Sequence, residues 1–302
     1  MRLFLVRHGE SVDNVAGLYA GSRDSPLTSH GVLQAKRLGS HLAGRVDSIG
    51  PVTHVFSSDL QRASMTAQAV LDAQKELASA ARVPETVVRL AELRERDFRS
   101  SEGTKFGVRV DTGAGGSRHA DAETSDEMQV RIHRFLSEHL VPVLEQTPSD
   151  VTGERSVVVV AHGIILNVLL RALLSRFSPL ELLKLSDPKG TGTSVRTEYL
   201  ASWSNTGYLE ASIQQPVPIE DLPFTASDVG GFVPLPDSNP SDCQIRTKLR
   251  LTVGKVNCLE HIQGLKKTRG GIGSAKFDGK QKTMDSFFAS ASKKRKPDDD
   301  TR

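Results

Sequence analysis

The chain has 302 residues, 37% of them hydrophobic, and a formal net charge of +3. That length admits one large domain or one domain with appendages. No apolar run approaches the roughly 18 residues that mark a membrane span. The charge is unevenly spread. Residues 241–302 hold 15 Lys or Arg against 7 Asp or Glu, while residues 1–240 hold 24 against 29, so the basic character belongs to the C-terminal part. Cys243 and Cys258 suggest neither a disulfide framework nor a Cys-rich zinc site. The opening MRLFLVRHGES turns charged too quickly for a signal peptide. A reducing intracellular compartment is the expectation.

In chain order, residues 1–6 read as a first strand ending at Arg7-His8, and residues 12–27 as a loop. Thr28 to Leu42 carries helical spacing through Val32, Ala35, Leu38 and Leu42, with Thr28 as N-cap. Thr53 to Phe56 is a short strand, and Asp59 to Ala80 a long Ala-rich helix. Residues 99–122 are rich in Gly and charge and read as a flexible loop. Glu123 to Gln146 returns to a helical pattern that Pro142 kinks or splits. The four consecutive valines within Ser156 to Ala161 predict a buried strand, followed by His162-Gly163 and a helix from Ile164 to Leu174. Further strands are expected at Ser194 to Leu200 and Gly207 to Ile213. This order predicts an α/β domain with a mostly parallel sheet covered by helices. His8, Ser58 and His162 each follow a predicted strand, where open α/β sheets place their ligands.

The side chains at those strand ends suit phosphoryl chemistry. A neutral imidazole is a good nucleophile toward phosphorus. Arginine forks neutralise the incoming dianion, and a departing alkoxide needs an acid close by. The chain offers Arg7-His8, Arg62 one turn into a helix, His162, and Glu95 within Leu93-Arg94-Glu95-Arg96-Asp97-Phe98. The helix near Asp59 adds an N-terminus that can face phosphate. Taken singly each residue is weak support; the set in this order is specific.

Several ordered motifs resemble the histidine phosphatase superfamily, in the branch of cofactor-dependent phosphoglycerate mutases and fructose-2,6-bisphosphatases. They are Arg7-His8-Gly9-Glu10-Ser11 with Asn14, Ser57-Ser58-Asp59-Leu60-Gln61-Arg62-Ala63, Leu93-Arg94-Glu95 with Phe98, Glu123-Thr124-Ser125 with Arg131, Ala161-His162-Gly163 and Asn205-Thr206. The resemblance implies a three-layer phosphoglycerate mutase-like fold and a phosphomonoester substrate. It implies that His8 accepts the phosphoryl group while Arg7, Arg62, His162 and Asn14 bind its oxygens. Glu95 would serve as acid and then base, with no metal or other cofactor. Glu92 is a competing acid. Arg99 and Ser100-Ser101 depart from the usual pattern, and residues 104–122 differ from the substrate segment of true mutases, which favours hydrolysis. Two other readings stay open: a catalytically weak or inactive phosphatase-like interaction protein, and a metabolic sugar-phosphate phosphatase or mutase-type enzyme.

The catalytic domain is expected to span residues 1–215, followed by a Pro-rich linker over 216–243. A short segment over 244–265, a hairpin or a piece docked on the domain, leads to a disordered basic tail over 266–302. In that tail Gln281, Met284, Phe287 and Phe288 have the spacing of a single tight turn bearing three apolar prongs and one amide. This resembles the motif by which replication and repair proteins bind the sliding clamp PCNA. Lys293, Lys294, Arg295 and Lys296 resemble an import signal read by a nuclear import receptor, and the same charges suit a weak nucleic-acid contact. The expected localisation is the nucleus, with the cytoplasm also allowed and no membrane association.

Overall fold

In the computed structural model the described residues are 1–77, 83–107, 121–146, 154–177, 202–214, 249–267 and 271–279. Among them six strands form one sheet: β1 (Arg2–Arg7), β2 (Val52–Ser58), β3 (Val88–Leu90), β4 (Ser156–Ala161), β5 (Tyr208–Gln214) and β6 (Arg250–Cys258), in the order β3-β2-β4-β1-β5-β6. The first four are mutually parallel, while β5 runs antiparallel to both β1 and β6. The sheet is therefore mixed, with its parallel part at the centre and one flank.

Helices cover both faces. The named ones are α1 (Val12–Ala16), α2 (Ser29–Ala43), α3 (Val46–Ile49), α4 (Gln61–Leu77), α5 (Ser125–Phe135), α6 (Val141–Glu145) and α7 (Gly163–Phe177). Alternate residues of the central strands feed two cores, as a pleated strand requires. Phe4, Val6, Val158 and Val160 pack with α2 and α4 through Leu38, Leu42, Ala67 and Val70. Leu3, Leu5, Val157 and Val159 face α5 and α7 through Ile132, Phe135, Leu166 and Leu170. Every residue of β4 is buried, which explains its run of valines.

Local chemistry sets the helix boundaries. Thr28 caps α2 by accepting the Gly31 N–H at 3.0 Å. Thr124 and Glu127 form a reciprocal capping box that starts α5 two residues after Glu123. The expected kink at Pro142 takes the form of a widened π-helical turn over Leu136–Leu140 before α6. A proline there has no N–H and its ring crowds the carbonyl one turn back, so the ladder shifts register.

Four expectations need correction. Residues 12–27 hold the short helix α1, because Ser11 and Asn14 form a capping box. Residues 250–258, expected beyond the 1–215 domain as a hairpin or a docked piece, are the sixth strand of its sheet. Their side chains lack alternation because an edge strand buries little on either face. The start of the expected disordered tail packs on the domain: Ser29 N–H donates to Ala275 O and Phe277 N–H to Leu27 O, both at 3.0 Å. Residues 99–107 are likewise tied down, since Tyr19 N–H donates to Thr104 O and Gly103 N–H to Tyr19 O. The strand expected at 194–200, the linker over 216–243 and all tail residues from 280 onward lie outside the described residues. Among the described residues no helix is long and apolar enough to cross a membrane.

Candidate active site

The four parallel strands deliver their site residues at one edge of the sheet. In the β1–β4 pairing Arg7 stands opposite Ala161, so His8 and His162 leave adjacent strands side by side. The His8 N–H donates to Ala161 O at 3.0 Å, and the two rings lie 4.9 Å apart. Gly9 and Gly31 let this loop meet the start of α2. A Cβ on Gly31 would stand 2.1 Å from Glu10 O, and one on Gly9 would stand 2.6 Å from Gly31 O. The Gly9 N–H is held by Thr66 Oγ1 at 3.0 Å.

Hydrogen bonding fixes both imidazole tautomers. His8 Nδ1 lies 2.6 Å from Gly9 O, and a carbonyl only accepts, so Nδ1 carries the proton and Nε2 holds the lone pair. Arg62 Nε lies 3.2 Å from His162 Nδ1, and a guanidinium only donates. His162 therefore presents Nε2–H, which is buried and has no partner among the described residues. Burial, then the positive charges of Arg62 and Arg7, holds His8 well below the usual histidine range. Burial, Arg62 and His8 do the same to His162. Both rings are neutral, one ready to attack and one ready to donate.

Arg62 follows β2 in the first turn of α4 and is only 1% exposed. Its remaining nitrogens donate to Arg23 O at 2.6 Å and Gly21 O at 2.7 Å, which locks its plane. Arg7 donates to Trp203 O at 2.5 Å, and its Nε has no partner among the described residues. Burial lowers the pKa of both guanidinium groups, and the Glu95 charge counters it in each case. Neither makes an ion pair among the described residues. Asn14 spends its carbonyl oxygen on Ser11 N–H and on Asn205 Nδ2 at 3.0 Å, which leaves its amide nitrogen as the donor it can offer a ligand.

Glu95 lies beyond β3. Its carboxylate accepts the Ile164 and Ile165 N–H groups at 3.1 Å each, at the N-terminus of α7 directly after His162-Gly163, and the Arg96 N–H at 2.9 Å. Glu92 turns elsewhere: its carboxylate faces Arg134 of α5 at 4.0 Å. The structure thus brings Arg7, His8, Arg62, Glu95 and His162 together, with Asn14 anchored to the same loop. Gln281, Met284, Phe287, Phe288, Lys293, Lys294, Arg295 and Lys296 lie outside the described residues. Among the described residues no group of three His, Cys, Asp or Glu is arranged to hold a metal ion.

The sequence marked Arg131 and Asn205-Thr206 without showing what they hold, and it missed Asp24. Arg131 of α5 donates to Glu92 O at 2.6 Å, Arg94 O at 2.7 Å and Glu95 O at 3.3 Å, and pairs with both oxygens of Glu123. One fork thereby shapes the whole acid-bearing loop. Asp24 caps α4 by accepting the Gln61 N–H at 2.6 Å. The turn 203–207 binds His8 O through Asn205 Nδ2 and the Thr206 N–H. The motif around Arg131 marked its position but not its partners, and Asp24 carried no local signal.

The model of the histidine phosphatase superfamily (branch 1) matches residues 3–198. The Schizosaccharomyces pombe protein named "Probable phosphatase C1620.13" is 29% identical over 94% of this chain and 78% of its own length. "Probable phosphoglycerate mutase GpmB" of Yersinia pestis is 32% identical over 58% of this chain and 75% of its own length. Among solved structures, "Mycobacterial hydrolase 1" superposes with a TM-score of 0.56 at 20% identity, covering 85% of this chain and 98% of that one. A mycobacterial glucosyl-3-phosphoglycerate phosphatase bound to VO3 gives 0.52 at 24% identity, covering 70% and 91%. Those two likenesses concern the fold. With the family model spanning well over half its length and the motif residues assembled at one sheet edge, this chain belongs to the histidine phosphatase superfamily, branch 1.

Proposed function

We propose that this chain is a metal-independent phosphomonoester hydrolase that works through phosphohistidine at His8. The observation that carries the reading is the pair of fixed tautomers: a lone pair on His8 Nε2 beside an Nε2–H on His162 that is unspent among the described residues, between two guanidinium groups with no ion partner among those residues. His8 Nε2 attacks phosphorus, and the bond to the leaving oxygen breaks. The Glu95 carboxyl delivers a proton to that oxygen. Arg7, Arg62, His162 Nε2–H and the Asn14 amide stabilise the three phosphoryl oxygens. Glu95, now a carboxylate, takes a proton from water. The hydroxide attacks phosphorus, the P–N bond breaks, and inorganic phosphate leaves with His8 restored. The likeness to the Schizosaccharomyces pombe protein named as a probable phosphatase supports hydrolysis.

The test is hydrolysis of an aryl phosphate in chelator by wild type and His8→Ala. Turnover confined to wild type, with an acid-labile phosphoryl group trapped on the chain, is the expected result. Equal background rates in the two would remove the catalytic reading and leave a phosphate-binding protein. The 32% identity to a protein named as a mutase favours one second reading, return of the phosphoryl group to a bound product instead of water. Release of one phosphate per substrate consumed would rule it out.

The same proposal places the enzyme in the nucleus, recruited to the sliding clamp through Gln281, Met284, Phe287 and Phe288 and carried there through Lys293 to Lys296. Support comes from the sequence spacing and the basic run. A peptide of residues 276–292 should bind the clamp, and the same peptide with Phe287→Ala and Phe288→Ala should not. Absence of wild-type binding would end the recruitment reading.

A further inference from the structure

The phosphate site is backed by the turn 203–207, which lies beyond the family match. Trp203 O receives Arg7, Asn205 Nδ2 holds both His8 O and Asn14 Oδ1, and the Thr206 N–H reaches His8 O at 3.1 Å. Three site residues therefore depend on one short loop. That loop is not relaxed: Thr206 sits at φ 57°, a left-handed conformation that β-branched residues avoid unless their surroundings enforce it.

The enforcement comes from the end of β6. Asn257 Oδ1 accepts the Ser204 N–H at 2.8 Å, and its Nδ2 donates to Ser204 Oγ at 3.2 Å. Just beyond, His261 Nε2 meets Thr206 Oγ1 at 2.9 Å. Two independent features aim Asn257 there. The β5–β6 register slips between Tyr208 opposite Cys258 and Glu210 opposite Lys255, so Val256 and Asn257 bulge from the ladder. Asn257 itself takes φ 49°, a backbone state that asparagine tolerates better than most residues. Across the gap, Gly207 leaves the space: a Cβ there would stand 2.1 Å from Asn257 Oδ1. A strand that merely covered β5 would need neither the bulge nor the left-handed residue.

We infer that Asn257 is a positioning residue of the phosphate site, so that the C-terminal strand of this chain completes the geometry of the family domain. It acts through the turn on Arg7, Asn14 and the His8 carbonyl, and touches no substrate. The inference rests on the phosphatase reading.

The test compares Asn257→Ala, Asn257→Asp, Gly207→Ala and Leu251→Ala in the full chain, with an aryl phosphate as substrate and inorganic phosphate as inhibitor. Leu251 lies on the same strand with its side chain in the core, and controls for loss of stability. Asn257→Ala should lose about 10- to 100-fold in kcat/KM, the scale of a misplaced site, with weaker phosphate inhibition. Asn257→Asp should recover most of it, since one carboxylate oxygen accepts the Ser204 N–H and the other its hydroxyl proton. Gly207→Ala should reproduce the loss by displacing the same amide from the other side, which keeps the test decisive if Asn257→Ala folds poorly. Leu251→Ala should melt lower yet keep wild-type constants well below its melting temperature. Wild-type constants in both Asn257→Ala and Gly207→Ala, or an equal loss in Leu251→Ala, would overturn the inference. A wild type no faster than His8→Ala would instead mean that the phosphatase reading itself had failed.

Discussion

His8 and His162 lie ring to ring at 4.9 Å, and His41 and His261 do so at 5.9 Å on the other side of the β5 end. Burial is the first cause that lowers all four histidines, and in each pair an arginine stands close by. The difference lies in what each arginine meets. Arg45 donates to Glu210 at 2.8 Å and to the Tyr208 hydroxyl, which His41 also contacts at 3.0 Å. Its charge is matched by a carboxylate. Arg62 meets two carbonyls and an imidazole, and Arg7 a carbonyl. Dipoles orient these two cations without neutralising them, so the field that remains is available to a dianion. Similar side chains thus build a brace in one place and, on the proposed function, an anion receptor in the other.

The comparison predicts a graded set of outcomes. The largest is His8→Ala, which should cost about 10⁴-fold or more in kcat with an aryl phosphate, because the nucleophile itself is gone. Arg62→Ala should cost about 10²- to 10³-fold, and steady-state kinetics should show much of it in kcat because the charge acts on the transition state. If Arg62→Ala behaved like wild type, the contrast between the two arginines would collapse. Glu95→Gln should lose about 10²-fold in kcat/KM with an alkyl phosphate and far less in kcat/KM with a nitrophenyl ester, whose leaving group needs no proton. A uniform loss across leaving groups would argue against Glu95 as the acid.

Acidification should weaken the fold before it titrates His8. Above about pH 6.5 the histidines are neutral in both folded and unfolded chains, so they make no pH-dependent contribution. Below it the unfolded chain binds protons that folded His8, His162 and His261, the last pushed down to about 4, refuse. Stability therefore falls as pH falls, and melting temperatures at pH 7.5 and 5.5 should show it. The acid limb of kcat/KM should lie below the ordinary histidine value, because His8 of the free enzyme keeps its lone pair there. The smallest kinetic effect is expected from Arg45→Met. It should leave kcat/KM unchanged while costing about 1–2 kcal/mol, because the buried Glu210 carboxylate is left without its best partner and keeps only Arg2 at 3.9 Å. Thermal unfolding measured beside activity would separate the two.

Much of the site was readable in the sequence because it is made at strand ends. A hydrophobic run that stops at Arg7-His8 or at His162-Gly163 announces both the strand and the residue it delivers. Arg62 and Glu95 could be placed beside them because the family motifs fix their order. What hydrophobic periodicity does not carry is the pairing of distant backbones. Glu95 is distinguished from Glu92 by the helix N-terminus it caps, and that helix is 69 residues away. Arg131 could be noticed but not explained, since three of its partners are carbonyls, which every residue has. β6 was hidden for the opposite reason. An edge strand with one face open and a bulge near its end loses the alternation that would have marked it. The short helix α1 escaped notice because five residues are too few to show a helical period.

The place of β6 in the sheet also bears on how the enzyme is made. β5 ends at Gln214, and its second neighbour begins only at Arg250. A chain growing from its N-terminus on the ribosome therefore completes the parallel core and both histidine loops well before it can supply the strand that backs them. Until then the outer edge of β5 is an open template for another strand. Newly made enzyme passes through an interval in which the reacting groups exist but the last hydrogen-bonded edge does not. On the inference above, the final positioning of the site then waits for the same segment of polypeptide that covers the β5 edge.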